Sequence, residues 1–325
     1  MEEENKEESK LERWKPAVCM VLVQVFISGM VLLSKVVITD GTFIFVLLTY
    51  QSLFGALFIL PLAFYYERGA WTKLDLKSLI WITFNAFFGY AFPMSLSFYG
   101  LQDTISSYYI IFVNLVPIAT YILALIFRME TLRLHTLPGS LKIAGSLICF
   151  GGTLLISLYR GKVLHLWPTV VTRHHQVVQN APGTNYLRGT LLLLACSFAF
   201  ACWYLLQSKV LKVYPYKCWS SMMTCLLGGI QTGLVAITLK RDRKTWQLGW
   251  DLQLLTILYT GSFATAGKYI MNSYAVQKRG PSFPPMFNAL SVVFTTLLGT
   301  SLLGDAITIG RSVLINNITF SFLKV

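Results

Sequence analysis

The sequence predicts an all-α integral membrane protein: ten transmembrane helices arranged as two inverted five-helix repeats. Three observations carry this expectation. Of 325 residues only 13% are charged while 55% are hydrophobic, about half the charged fraction of an ordinary soluble domain. Apolar runs of about 20 residues recur along the chain, each long enough to cross a hydrocarbon core of roughly 30 Å. The two halves of the chain also resemble each other at a fixed spacing. This composition excludes a soluble enzyme, a disordered regulator and a secreted disulfide scaffold, because so few charges cannot cover a water-facing surface.

The apolar runs lie near residues 17–38, 43–65, 79–100, 106–127, 140–158, 187–208, 218–239, 252–274, 284–303 and 307–322. They read as helices because backbone groups in lipid must pair within their own segment. A β-barrel would show alternating runs of about ten residues instead, and none appear. Pro61, Pro93 and Pro117 fall within or near the ends of the second, third and fourth runs. Each removes a helical donor and is expected to kink its helix, as packing or as a gating hinge. The first ten residues are too charged for a signal peptide, so the first run is read as an uncleaved helix.

Orientation follows from basic residues in the loops. In the first half, Lys6, Lys10, Arg13, Lys15, Arg68, Lys73, Lys77, Arg128, Arg133 and Lys142 all fall on one side, and the loops after the first and third runs have none. The second half is less clean, with Lys240, Arg241, Arg243 and Lys244 on the opposing side. The first half places the N-terminus in the cytoplasm. The chain then divides into a cytoplasmic tail (1–16), a first repeat (17–158), a linker loop (159–186) and a second repeat (187–325). The linker carries His174 and His175. An adjacent pair without Cys, Asp or Glu neighbours reads as a solvated loop, not a metal site.

Sliding residues 99–130 forward by 175 pairs Tyr99 with Tyr274, Gln102 with Gln277, Phe112 with Phe287, Thr120 with Thr295 and Glu130 with Asp305, without a gap. An odd number of helices per half turns the second repeat upside down. Inverted repeats are a transporter signature, with the solute site near the midplane between the halves.

Polar residues inside such helices are costly and mark either interhelical hydrogen bonds or a cavity. Asn114 and Asn288 occupy nearly equivalent places in the two halves and are the first substrate-binding candidates. Lys268, within Ala-Gly-Lys-Tyr of the eighth run, is a candidate carboxylate partner. Gln24, Asn85, Tyr109, Trp203 and Asn272 complete that candidate set, and Tyr50, Gln51, Tyr90 and Tyr204 are further polar groups in the runs. Lys35, Glu130, Asp305 and Pro117 are structural or gating candidates, since Lys35 can reach an interface and both carboxylates sit near helix ends. No acidic residue falls at a helix centre, which favours facilitated, bidirectional flux over tight proton coupling.

No H-E-x-x-H, G-x-S-x-G or phosphate-binding loop is present. The expectation is no catalytic residue, no metal and no cofactor. The six cysteines lie in or beside apolar runs without ligand spacing, as buried thiols do. The net charge of +13 lies in short clusters between apolar runs, so no nucleic-acid partner is expected. The expected partners are a small-molecule substrate, an amino acid or organic acid, and the lipid bilayer, with homo- or hetero-oligomerisation open.

Several stretches, in this order and spacing, resemble the plant walls-are-thin-related, nodulin-like EamA transporters of the drug/metabolite transporter superfamily. They include Leu60-Pro61-Leu62-Ala63 with Glu67-Arg68, Phe127-Arg128-Met129-Glu130, Lys142-Ile143-Ala144-Gly145 and Cys149-Phe150-Gly151-Gly152. In the second half they include Gln207-Ser208-Lys209 with Tyr214-Pro215, Gly280-Pro281 with Phe287-Asn288, and Leu302-Leu303-Gly304-Asp305. The resemblance implies ten helices in two EamA repeats and transport of small metabolites. Members are associated with amino acids, some with auxin, at the plasma membrane or the vacuolar membrane. This chain departs from the pattern at Gln51 (Arg in many members), Ala289 (Pro) and Asp305 (Glu). Its last run, about 16 residues and roughly 24 Å as a helix, is shorter than the family expects. The readings are therefore an amino-acid transporter at the plasma membrane, an auxin or other metabolite transporter, or a non-transporting truncated paralogue.

Overall fold

The computed structural model describes residues 2–39, 42–103, 106–129, 163–164, 186–240, 243–249, 251–303 and 307–308. These residues are overwhelmingly helical. The helices are α1 (Glu2–Thr39), α2 (Ile44–Tyr66), α3 (Leu76–Ala86), α4 (Phe92–Asp103), α5 (Ser106–Ile126), α6 (Tyr186–Val213), α7 (Lys217–Leu239), α8 (Leu252–Tyr259), α9 (Lys268–Arg279) and α10 (Asn288–Leu303). Among the described residues, five spans are long and apolar enough to cross a membrane: Trp14–Ile38, Ile44–Tyr66, Leu76–Leu101, Leu187–Val213 and Lys217–Leu239. Exposed apolar side chains such as Leu57, Phe58, Ile230, Leu234 and Ile237 cover α2 and α7, as lipid-facing surfaces require.

Two helices that the sequence pattern draws as continuous are interrupted. Phe87–Ala91 joins α3 to α4, and Thr260–Gly267 joins α8 to α9, both with wider π-helical turns. The ninth run was expected from 284, but Pro284–Phe287 forms a short 3₁₀ turn and α10 begins at Asn288. Two adjacent prolines lack the N–H groups that a helix interior needs. The expected helix over 307–322 does not start at its first residues. Ile307–Thr308 (β2) pairs antiparallel with Val163–Leu164 (β1), and three of these four residues are β-branched, as extended backbone favours. The fifth run, at 140–158, and the rest of the tenth lie outside the described residues.

Helix ends follow local chemistry. Asp75 precedes α3, where its carbonyl accepts Leu79 N–H (3.0 Å) and its carboxylate accepts the Ser78 hydroxyl (3.0 Å). Gly280 ends α9 at φ 90°, a left-handed value that suits glycine. Arg128 takes φ 53° after α5, while Met129 N–H reaches back to the Ala124 carbonyl (2.8 Å). That bond gives the helix end a Schellman-type closure without glycine.

The residues form two compact units, Met1–Ala91 with Trp203–Phe287, and Phe92–Cys202 with Asn288–Val325. In the first, α2 and α7 pack at small residues. A Cβ on Gly229 would meet the Leu53 side chain, and Gly233 faces Thr49. Thr49 and Thr232 hydroxyls meet at 3.4 Å, and Ser52 donates to the Cys225 carbonyl at 2.9 Å. Gly55 and Gly261 bring α2 against the 260–267 segment. A Cβ on Gly55 would stand 3.0 Å from the Gly261 carbonyl, and one on Gly261 2.9 Å from the Gln51 carbonyl. Such close backbone approach is the usual means of helix association in lipid. In the second unit, Ser197 donates to the Phe112 carbonyl (2.6 Å), Cys196 to the Pro93 carbonyl (3.3 Å), and Arg188 approaches Asp103 (3.6 Å).

Candidate functional site

The polar residues of the first unit converge where α6 crosses the 87–91 segment. Gly89 makes the crossing tight: a Cβ there would collide with the Trp203 indole. One turn earlier, Asn85 Nδ2 donates to Gln207 Oε1 at 2.6 Å, with Thr224 Oγ1 at 3.3 Å. Gln207 Nε2 donates to Ser273 Oγ (2.7 Å), whose hydroxyl donates to the Tyr269 carbonyl (2.7 Å). The two helices therefore meet on two rungs, Gly89 with Trp203 and Asn85 with Gln207, each four residues apart on its own helix. Residues so spaced share a helix face.

Lys268 opens α9 directly after the π-helical segment. Its Nζ lies 5.3 Å from the Trp203 ring and 5.9 Å from the Tyr269 ring. Lys268 is partly exposed, while Trp203 and Tyr269 are buried. Among the described residues no carboxylate stands within ion-pair distance of it. Two aromatic faces offset part of the cost of a cation in low dielectric. They leave its hydrogen-bonding donors available.

Among the described residues, six buried polar atoms, all in this unit, lack a hydrogen-bond partner: Trp203 Nε1, Gln51 Oε1, Asn85 Oδ1, Gln24 Oε1, Ser220 Oγ and Gln231 Oε1. Gln51 is fixed by its own amide, since Nε2 donates to the Tyr90 hydroxyl (3.2 Å), which in turn donates to the Leu48 carbonyl (3.0 Å). A buried polar atom without a partner costs about 1–3 kcal/mol.

The structure thus brings together Lys268, Trp203 and Asn85 of the predicted set. Gln24 (α1) and Asn272 (α9) are buried in the same unit, Asn272 one turn beyond Lys268. Asn114, Asn288 and Tyr109 belong to the other unit: Asn114 is buried in α5, Tyr109 is half-buried, and Asn288 opens α10 half-buried. Pro117 is inside α5. Lys35 lies on α1, and Glu130 and Asp305 fall outside the described residues. Gln207, Thr224, Tyr269 and Ser273 escaped sequence reasoning. Their signal was the four-residue spacing of polar pairs, Trp203 with Gln207 and Tyr269 with Ser273.

A further polar junction lies at the end of α2. Glu67 accepts the backbone N–H of Cys218 (3.2 Å) and Trp219 (3.0 Å) at the start of α7, and its own carbonyl accepts Trp219 Nε1 (3.1 Å). Tyr214 donates to the Ala70 carbonyl at 3.0 Å.

The model of the EamA-like transporter family matches this chain twice, over residues 14–158 and 187–323. The chain belongs to the EamA-like transporter family. Three WAT1-related proteins of Arabidopsis thaliana are similar to it. One is 34% identical over 93% of this chain and 87% of the relative, a second 32% over 93% and 83%, and a third 29% over 95% and 81%. A crystal structure of a protein at 16% identity aligns with a TM-score of 0.70 over 94% of each chain, which shows a shared fold. This EamA-family protein is therefore a multi-pass integral membrane protein and a transporter of small solutes. The Lys268 cluster lies within its paired family domains.

Proposed function

We propose that the protein carries carboxylate-bearing small solutes, amino acids foremost, by alternating access with facilitated, bidirectional flux. The solute's carboxylate meets Lys268. The observation that carries this reading is a cation held inside an apolar helical unit with no carboxylate partner among the described residues. A charge so placed is expensive unless a ligand or path uses it. α2 pairs with α7, and each packs on the other half's π-helical segment, so both repeats build the unit that holds Lys268. The full arrangement is ten helices in two inverted repeats, 17–158 and 187–325, with a cytoplasmic N-terminus at the plasma membrane.

Purified protein in liposomes, loaded with labelled glutamine or labelled indole-3-acetate, tests the reading with and without a pH gradient. Saturable glutamine efflux indifferent to the gradient, lost in Lys268→Gln protein of normal abundance, is the expected result. Flux of the indole acid alone would move the substrate to auxin. Full glutamine flux in Lys268→Gln would refute the site.

A further inference from the structure

We infer that one end of the first unit is a docking surface for anionic phospholipid headgroups, built where the segment 67–77 lies against the turn between α6 and α7. Six cations gather there from two distant stretches of chain. Arg68, Lys73 and Lys77 come from the first, and Lys209, Lys212 and Lys217 from the second. All are exposed except Lys217, which is half-buried. The same stretches, 67–81 and 209–219, carry two carboxylates, Glu67 and Asp75. Glu67 accepts the backbone N–H groups of Cys218 and Trp219, and Asp75 accepts the Ser78 hydroxyl at the start of α3. Both carboxylates are thereby turned to helix starts, and the surface stays net positive.

The surface is held in shape by bonds that leave the cations out. Tyr214 donates to the Ala70 carbonyl (3.0 Å), Trp219 Nε1 to the Glu67 carbonyl (3.1 Å) and Thr72 to the Gly69 carbonyl (2.7 Å). Three lysines stand over aromatic rings. Lys73 Nζ is 5.7 Å from the Tyr216 ring, Lys209 Nζ 4.9 Å from Trp81 and Lys217 Nζ 5.0 Å from Tyr274. Trp81 stands four residues after Lys77, on the same face of α3. Such stacking lays the lysine stems along apolar surface and keeps ammonium donors for an anion. Tyr65, Tyr66 and Trp71 are exposed beside them. Tyr and Trp concentrate at the headgroup level of a bilayer, which sets these cations at the depth of the lipid phosphates. α2 ends on the side where α1 begins. With the cytoplasmic N-terminus proposed above, the surface meets the cytoplasmic leaflet, whose anionic lipids attract basic clusters. That orientation decides the leaflet alone, and headgroup binding stands apart from the solute site.

The test titrates the full chain, in uncharged detergent micelles, with dansyl-labelled phosphatidylserine or dansyl-labelled phosphatidylcholine, read by energy transfer from tryptophan. Phosphatidylserine should bind at least about fivefold more tightly at low salt, the attraction of roughly one cation. The preference should vanish near 1 M salt, where the Debye length is about 3 Å. The triple variant Lys73→Gln, Lys212→Gln, Lys217→Gln should bind phosphatidylserine no better than phosphatidylcholine, with phosphatidylcholine binding unchanged. A second triple variant, Lys240→Gln, Arg243→Gln, Lys244→Gln, removes the same charge beyond the far end of α7 and should keep the preference. Melting midpoints without added lipid check that both variants are folded. Soluble glycerophosphoserine, the headgroup without acyl chains, should not displace the labelled lipid at equal concentration. Wild-type protein that binds the two lipids equally overturns the inference, as does an unchanged preference in the first variant or an equal loss in the second. Displacement by glycerophosphoserine at equal concentration would make the ligand a free phosphate and overturn the lipid surface. No solute is present, so each of these failures leaves the Lys268 reading standing.

Discussion

Replacing Glu67 with Ala removes the carboxylate that closes the start of α7. In the structure that group accepts two successive backbone N–H groups, Cys218 at 3.2 Å and Trp219 at 3.0 Å. The first N–H groups of a helix have no intrahelical partner, and losing a side-chain cap costs about 0.5–2 kcal/mol. A negative charge at a helix N-terminus adds about 0.3–1 kcal/mol. Glu67 is half-buried, so the lower part of the second range applies. The sum is about 1–2 kcal/mol, which lowers a melting midpoint by roughly 1.5–3 °C in a chain of this size. Trp219 is a built-in reporter, edge-on to Phe64 with ring centroids 5.0 Å apart. Its indole bond runs to the Glu67 backbone carbonyl, which survives the substitution. Tryptophan fluorescence melts in detergent at fixed scan rate should place Glu67→Ala lowest, with Glu67→Gln between it and wild type. A Glu67→Ala midpoint indistinguishable from wild type would refute the capping argument.

Two further outcomes follow from packing and from burial outside the membrane. Gly89→Ala adds a Cβ that collides with the buried Trp203 indole, an overpacking of about 1–3 kcal/mol. Solute flux per folded molecule should fall while Leu53→Ala, at a partly exposed α2 position, keeps most of it. Burial first, then the Glu67 carboxylate, pushes the Tyr214 phenol up to about 12. The folded state therefore holds a proton that the unfolded state releases from about pH 10. Its stability contribution is complete below pH 10 and is lost as pH rises toward 12, so wild-type melting temperature should drop more steeply over that window than that of Tyr214→Phe.

Much of the fold was legible because lipid imposes a simple rule on sequence. The runs at 43–65 and 218–239 became α2 and α7 almost residue for residue, since each is bounded by charge or by Gly and Pro. What the runs did not reveal was their interior geometry. The π-helical turns at 87–91 and 260–267 carry no proline, and their apolar residues fit an α-helix equally well. They arise from packing, where Gly89 admits Trp203 and Gly261 admits the Gln51 backbone. The candidate site was half legible for a related reason. Lys268, Trp203 and Asn85 stand out as single polar residues in apolar runs. Gln207 and Ser273 matter through partners 122 and 66 positions away in the chain, which a residue type alone does not disclose. Asn114 and Asn288 satisfy the symmetry of the repeat, yet they belong to the other unit, because the repeat relates positions in sequence and does not say which helices pack.

The same repeat does account for the interrupted helices. Shifting 87–91 forward by 175, the spacing that pairs Tyr99 with Tyr274, gives 262–266, inside the second π-helical segment at 260–267. Two rare distortions thus fall at equivalent places in the two halves. The packing repeats as well, with α7 against the first distortion and α2 against the second. Gly228 faces Tyr90, and Gly55 faces the Gly261 carbonyl. π-Helical turns loosen the i→i−4 ladder and recur at functional sites. Here the first is followed by the unit boundary at Ala91 and the second leads directly into Lys268. Equivalent positions have nonetheless acquired unequal chemistry: Lys268 answers to Pro93, and Tyr90 to Thr265. The repeat supplies two matched interruptions, and only the second runs into a cation, Lys268.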